Sequence, residues 1–350
     1  MGEFPGATAD PDDAAYALVG APLDVSTTFR SGARFGPERV RRFARPFDEY
    51  DRRTGRQFSG LVLDAGDVNA WNDAEEYLEF LAADLRDHHD AGRLPLLVGG
   101  EHTVTVAGLR AADPEVYVCL DAHLDLYESY AGDEFSHATV THHALDVAEE
   151  AVLLGARTGS ESEWNRAARS DVTVVPPEEV ADWTPGFDGD AYLSVDIDAV
   201  DPAFAPGTGT PEPFGLDSRE MRDAVRTVAP RAVGFDVVEV NDRDDGQAAS
   251  LAAKLLQEFV FAAADGGLAA LLGRFAPCGA YVVRVRRVGG RFHRPPYNVA
   301  AKPPRDASPF QSARARPVNR QKRIHWTVRI RTPPRPEWKA LRSPTAVVDP

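Results

Sequence analysis

Short apolar runs alternate along this chain with polar stretches that carry apolar residues at helical spacing. The runs at 15–19, 60–67, 94–98, 116–120, 151–155, 172–175, 191–195 and 231–238 are mostly continuous rather than alternating. A strand buried on both faces reads this way. Segments 38–47, 72–88, 160–168, 177–181, 218–228 and 251–264 follow the helical period instead. Pro37 sits near the first turn of one, and Ser218 is a candidate cap of another. Strands alternating with helices predict an α/β fold whose parallel sheet is covered on both faces.

Metal-capable residues gather where the runs end. The run 116–120 leads into Asp121-Ala-His123-Leu-Asp125, with three such side chains at alternate positions. A strand has a side-chain period of two, which would point all three the same way. The run 191–195 leads into Asp196-Ile-Asp198 at the same spacing, and Gly99-Gly100-Glu101 leads into His102. Gly99 and Gly100 are expected to let the backbone turn sharply. Sites in open α/β sheets lie at the carboxyl ends of strands. The bland alternative, polar strand ends with capping side chains, explains one such pair more easily than two. His102, Asp121, His123, Asp125, Asp196 and Asp198 pool four carboxylates and two imidazoles, a set suited to two divalent ions. Structural zinc prefers Cys and His, whereas carboxylates favour Mn²⁺ or Mg²⁺ and the histidines tip the choice to Mn²⁺. The predicted chemistry is metal-assisted hydrolysis.

Other polar residues have competing readings. His137, in Ser136-His-Ala-Thr139, is a candidate acid or base, while His142 and His143 read as structural. Asp64 and Asp67 read as loop caps more readily than as ligands, and Arg34 as the partner of nearby acids more readily than as an anion site. The Pro/Gly-rich loop 199–215 starts at the carboxylates, and such loops carry function on rigid scaffolds.

Composition adds limits. The chain of 350 residues is 43% hydrophobic, enough for a folded catalytic domain, and no apolar run reaches membrane-spanning length. The N-terminal Met-Gly-Glu-Phe-Pro carries no signal-peptide pattern, and Cys119 and Cys278 make no disulfide framework. Cys119 reads as a core thiol, and the expected setting is cytoplasmic. Residues 1–14 are small and acidic and are expected to be disordered, followed by a catalytic domain over 15–270.

The net charge of −15 hides a split: residues 271–350 hold 18 Lys+Arg against 3 Asp+Glu. The remainder is strongly acidic with Lys254 as its single lysine, which reads as the surface of a halophilic protein or, alternatively, as a surface for cationic ligands. Segment 271–350 is basic, Pro/Arg-rich and expected to be irregular, with isolated strands at 282–288 and 324–330 as candidates. It reads as a nucleic-acid-binding tail, an interaction tail, or an unselected extension such as out-of-frame translation. No nucleic-acid motif supports the first, and the break in charge bias favours the third.

Taken together these motifs resemble the ureohydrolases, which include arginase and agmatinase. The matching stretches are Gly-Gly-Glu-His at 99–102, Asp-Ala-His-Leu-Asp at 121–125, Ser-His-Ala-Thr at 136–139, Ser-Val-Asp-Ile-Asp-Ala-Val-Asp-Pro at 194–202 and Pro-Gly-Thr-Gly-Thr-Pro at 206–211. The resemblance implies the arginase/deacetylase fold, a three-layer αβα sandwich with a central parallel sheet, and two Mn²⁺ ions. By position it implies that Asp121 and Asp196 bridge the ions. His102 and Asp125 would complete one set, His123 and Asp198 the other. It casts His137 as proton shuttle and Glu239 as the carboxylate gripping a guanidinium, with Asp125 beside them among the catalytic candidates. Thr210 would line the pocket. The family assembles as trimers or hexamers, so a homo-oligomer without membrane or nucleic-acid partners is expected.

The substrate implied is a small cationic guanidino compound. Arginase-like members place an Asn after the Asp-Ala-His-x-Asp motif to read a carboxylate, but Tyr127 stands here. Glu128, Asp133 and Glu134 would suit a cationic tail instead. Agmatine, giving putrescine and urea, is therefore the expected substrate. N1-aminopropylagmatine, arginine, another guanidino compound, a deacetylase-like reaction and a non-catalytic protein with a basic tail are the alternatives. Two departures from the family pattern stand out. Glu101 replaces a common Asp, and Phe214 replaces a common Gly where it is expected to narrow the pocket mouth.

Overall fold

The computed structural model describes residues 3–265. In chain order its strands and helices are β1 (Tyr16–Ala21), α1 (Gly36–Phe43), β2 (Tyr50–Asp51), β3 (Arg56–Gln57), β4 (Val62–Asp67), α2 (Ala74–Asp90), β5 (Leu94–Gly99), α3 (Thr105–Ala112), β6 (Val116–Leu120), α4 (Val140–Val147), β7 (Glu150–Leu154), α5 (Glu161–Ala167), β8 (Val172–Val175), α6 (Pro177–Val180), β9 (Ala191–Asp196), α7 (Ser218–Val228), β10 (Ala232–Val238) and α8 (Gln247–Asp265). Eight strands form one sheet in the order β4-β1-β5-β10-β9-β6-β7-β8. Every neighbouring pair in it is parallel, so all carboxyl ends lie on one edge. The strands β2 and β3 make a separate antiparallel hairpin.

The pleat sends successive strand residues to opposite layers. Leu18, Leu96, Val118 and Leu193 pack with α1, α7 and α8, whereas Val19, Leu97, Cys119 and Tyr192 belong to the cores beneath α2, α3 and α4. This is the expected three-layer αβα sandwich, with apolar strands because both faces are covered.

Element ends differ from the sequence reading for local reasons. Helix α1 stops at Phe43, ahead of Arg45-Pro46, since a residue before proline is disfavoured in helical conformation. Asp217, not Ser218, caps α7: its side chain takes two backbone N–H groups while Glu220 returns a bond to its own N–H. Helix α8 begins ahead of its apolar stripe because the Asp244 carboxylate accepts the Ala248 N–H at 2.7 Å.

The N-terminal segment corrects the expectation of disorder. Phe4 is buried against Phe58 with ring centroids 5.4 Å apart, and the Ala9 N–H donates to Val62 O at 3.0 Å. One aromatic anchor and edge pairing with β4 hold a segment whose composition alone does not reveal it. Cys278 and the candidate strands at 282–288 and 324–330 lie outside the described residues.

Asp64 and Asp67 are not ligands. Arg41 is 4% exposed and donates to both Asp64 oxygens at 2.8 Å and to Asp67 Oδ1 at 2.6 Å. The Arg41 guanidinium opposes the burial that would raise the Asp64 carboxyl and holds it below its ordinary range. Arg34 pairs with Asp24 at 3.1 Å, as expected of a structural residue.

Candidate metal centre and active-site cleft

The carboxyl ends of β5, β6, β9 and β10 converge on the six strand-end residues and Glu239. His102 opens a short 3-10 turn directly after β5. The adjoining glycines serve close packing rather than a left-handed turn. A Cβ on Gly100 would collide with the backbone of Leu23, and one on Gly99 with Val238 and Val104.

Strand β6 ends at Leu120, so Asp121, His123 and Asp125 are not displayed by strand alternation. They lie on the loop that follows, and their convergence depends on Asp125 taking a left-handed backbone, φ 50°. Glu239 does the same after β10, with φ 60°. Left-handed non-glycine residues cost of order 1–3 kcal/mol each and cluster at functional sites. Asp196 closes β9, and its Oδ1 accepts the Asp198 N–H at 2.8 Å, which seats the second carboxylate of that pair.

Two subsets emerge from the side-chain distances. His102 Nδ1 lies 2.9 Å from Asp125, 3.2 Å from Asp121 and 3.5 Å from Asp196. His123 Nδ1 lies 3.1 Å from Asp198 and 3.5 Å from Asp121. Two groups of potential ligand atoms, His102–Cys119–Asp121 and Asp121–His123–Asp198, share Asp121. Cys119 was read as a core thiol; it is buried, and that burial pushes it up to about 12, so it faces the site as a neutral thiol.

The donor set fits a cation. Among the described residues, no lysine or arginine lines the cleft. Burial, then repulsion from Asp121, pushes Asp125 up to about 7. Burial and the charges of Asp198 and Asp121 raise Asp196, and burial with Glu101 and Asp198 raises Glu239. For Asp121, burial is outweighed by hydrogen bonds from His102 and His123, which keep it ionised. Without a cation such a cluster can relieve its charge only by taking protons; divalent ions would relieve it without them.

A cleft of about 250 Å³ leads to these groups. His102, His123, Asp125, Asp196, Asp198, Thr210 and Glu239 line its inner part, and Tyr127, Tyr130 and His137 also border it. Thr210 Oγ1 donates to Asp198 Oδ2 at 3.1 Å, and Glu239 Oε1 accepts the His102 N–H at 2.8 Å. Burial, reinforced by positive charge on His123 and His102, pushes His137 down to about 4. His142 and His143 lie on α4 and are not among the residues lining the cleft; His143 stacks on Phe135 and bonds Glu134 O.

Two expectations need correction. Glu128, Asp133 and Glu134 are exposed and line no part of the cleft, because their loop runs outward. The cleft carboxylate beyond the metal-ligand candidates and Glu239 is Glu163, on α5. It was missed because it reads as the third residue of a capping box with Ser160, a role it also fills. Phe214 is 85% exposed and does not line the cleft, so it narrows nothing. Its left-handed φ of 67° aims the side chain at solvent while its N–H bonds Asp201.

A parallel αβα sandwich with a cation-demanding carboxylate–imidazole cluster at its carboxyl edge is the framework of a metal-dependent hydrolase. Residues 14–262 match the model of the arginase family. An agmatinase from Pyrococcus horikoshii is 32% identical over 260 residues, spanning 71% of this chain and 92% of that protein. An N(1)-aminopropylagmatine ureohydrolase from Thermococcus kodakarensis is 32% identical over 266 residues, 73% and 92% respectively. The solved agmatine ureohydrolase of Thermoplasma volcanium is 30% identical and aligns with a TM-score of 0.70, over 76% of this chain and 95% of that one. The chain belongs to the arginase family.

Proposed function

We propose that this protein hydrolyses agmatine to putrescine and urea, a step in polyamine formation, with two Mn²⁺ ions as cofactors. It is a hydrolase acting on carbon–nitrogen bonds. The observation that carries the reading is the convergence on one cleft of five metal-capable side chains, Glu239 and His137, with Asp121 packed between His102 and His123 behind them. His102, Asp125, Asp121 and Asp196 would hold one ion and His123, Asp198, Asp121 and Asp196 the other. When bound, the pair would acidify the attacking water and stabilise the negative charge on its oxygen.

The protein's own groups account for the rest. Glu239 accepts the planar guanidinium through paired charged hydrogen bonds and sets its carbon against the metal-binding carboxylates. His137 borders the same cleft and moves a proton to the departing amine as the carbon–nitrogen bond breaks. Thr210 fixes the Asp198 carboxylate. Tyr127 and Tyr130, with ring centroids 5.2 Å apart, wall the aliphatic part of the substrate. Glu163 faces its distal ammonium, and among the described residues no Lys or Arg is present in the lining to read a carboxylate.

Agmatine is therefore preferred over arginine. Aminopropylagmatine is the second reading, favoured by the same acidic and aromatic lining. Urea release from the Mn²⁺-loaded protein in high salt, with agmatine, aminopropylagmatine and arginine side by side, tests all three. Turnover of agmatine that chelation and Asp121→Ala abolish is expected; arginine as the better substrate would overturn the reading. Deletion of 271–350 is expected to leave hydrolysis unchanged; loss of nucleic-acid binding on deletion would revive the tail as a functional element.

A further inference from the structure

We propose that Ser26, itself held by Glu101, is a positioning residue that fixes the tautomer of His137. The role of His137 in turnover rests on the function proposed above; the tautomer assignment does not. Ser26 Oγ has one hydrogen and two lone pairs. The hydrogen is directed to Glu101 Oε1 at 2.9 Å. One lone pair accepts the backbone N–H of His137 at 3.0 Å. His137 Nδ1 lies 3.1 Å from the same oxygen and meets only the remaining lone pair. A bare Nδ1 would set two lone pairs against each other, so Nδ1 carries the hydrogen. Ser136 Oγ, whose hydroxyl could donate to a bare Nδ1, is the more distant neighbour at 3.3 Å, so the shorter Ser26 contact decides the tautomer.

Glu101 keeps this order from reversing. Its Oε2 accepts the N–H groups of Val25 and Ser26, each at 2.7 Å, and its Oε1 accepts Thr103 Oγ1 at 2.8 Å besides Ser26. Four donors around one carboxyl group leave it only an acceptor's part toward Ser26. The chain Glu101–Ser26–His137 thus leaves Nε2 bare in the neutral imidazole. That nitrogen then accepts and returns the proton at one atom, while Tyr130 holds the ring edge-on at 5.7 Å. Nothing in the Ser26 sequence context, Asp-Val-Ser-Thr-Thr, signals this role.

Ser26→Ala and Ser26→Thr in the full-length, Mn²⁺-loaded protein test it. The Ala variant is expected to lower kcat on agmatine about 10- to 100-fold, with KM changed less than about twofold and bound manganese equal to the parent. Thr, which keeps the hydroxyl, is expected to restore most of the rate. An unchanged kcat in Ser26→Ala, or a loss matched by loss of metal, overturns the proposal. Neutron diffraction of the parent protein gives a second readout that needs no turnover. Deuterium on His137 Nδ1, with the Ser26 O–D aimed at Glu101, is expected; deuterium on Nε2 with a bare Nδ1 overturns it. Absence of urea with Nδ1 deuterated would retire the agmatine reading and leave this assignment standing.

Discussion

The carboxylate of Glu239 accepts the backbone N–H of His102 at 2.8 Å. The bond ties the end of β10 to the end of β5 and orients one carboxylate oxygen by a donor that is not substrate. Glu239→Gln keeps an acceptor for that N–H but removes the charge opposite the guanidinium. Losing a charged, desolvated partner costs about 3 kcal/mol, so kcat/KM on agmatine is expected to fall about 100-fold. The thermal midpoint should stay near that of the parent. A variant retaining full kcat/KM would remove Glu239 from the reaction.

Relief of carboxylate repulsion is expected to make the fold sensitive to metal. Mn²⁺ at about 100 times its dissociation constant stabilises a folded state by about 2.7 kcal/mol per site. A melt followed by circular dichroism is expected to move up by several degrees on adding Mn²⁺ and to return on chelation. Asp121→Ala, which removes the residue shared by both ligand groups, should abolish the response; a shift of normal size in that variant would argue that the ions bind elsewhere.

Glu163 separates charge from capping. Glu163→Gln preserves the bond to the Ser160 N–H that closes the first turn of α5, because glutamine also completes a capping box. What it removes is the negative charge in the cleft, together with the Oε1 acceptor of the Leu126 N–H at 3.2 Å. KM for agmatine is expected to rise about tenfold, the order for one charged hydrogen-bond partner, with kcat nearly constant. Equal KM values for the two proteins would show that the distal ammonium is read elsewhere.

The Arg41–Asp64 pair sets an acid limit on stability. The folded-state pKa of Asp64 is lowered, so its contribution is complete above the unfolded value of about 3.9 and is lost as pH falls through the lower folded value. Breaking a buried pair costs about 3–5 kcal/mol. Asp64→Asn is therefore expected to lower the thermal midpoint most at pH 5–7, and the gap should begin to narrow near pH 4 and close only below the lowered folded value. A gap independent of pH between 3 and 7 would assign the loss to packing rather than to charge.

The linear sequence determined the layers and most of the candidate ligand set. Continuous apolar runs can be stable only between two covered faces, and helical periods between them leave a parallel sheet as the way to connect the chain. Because such strands share a direction, His102, Asp121 and Asp196 are delivered to one edge by their positions after the runs. Only the tertiary structure decided how they meet. Asp125 and Glu239 reach the cluster through left-handed backbone that no periodicity encodes, and a strand rule placed 121–125 on a strand that stops at Leu120. Glu163 and Ser26 come from α5 and the loop after β1, where their local signals are a cap and an ordinary polar turn. Their partners, the cleft and His137, are distant in sequence, and proximity of that kind is fixed by packing rather than by local pattern.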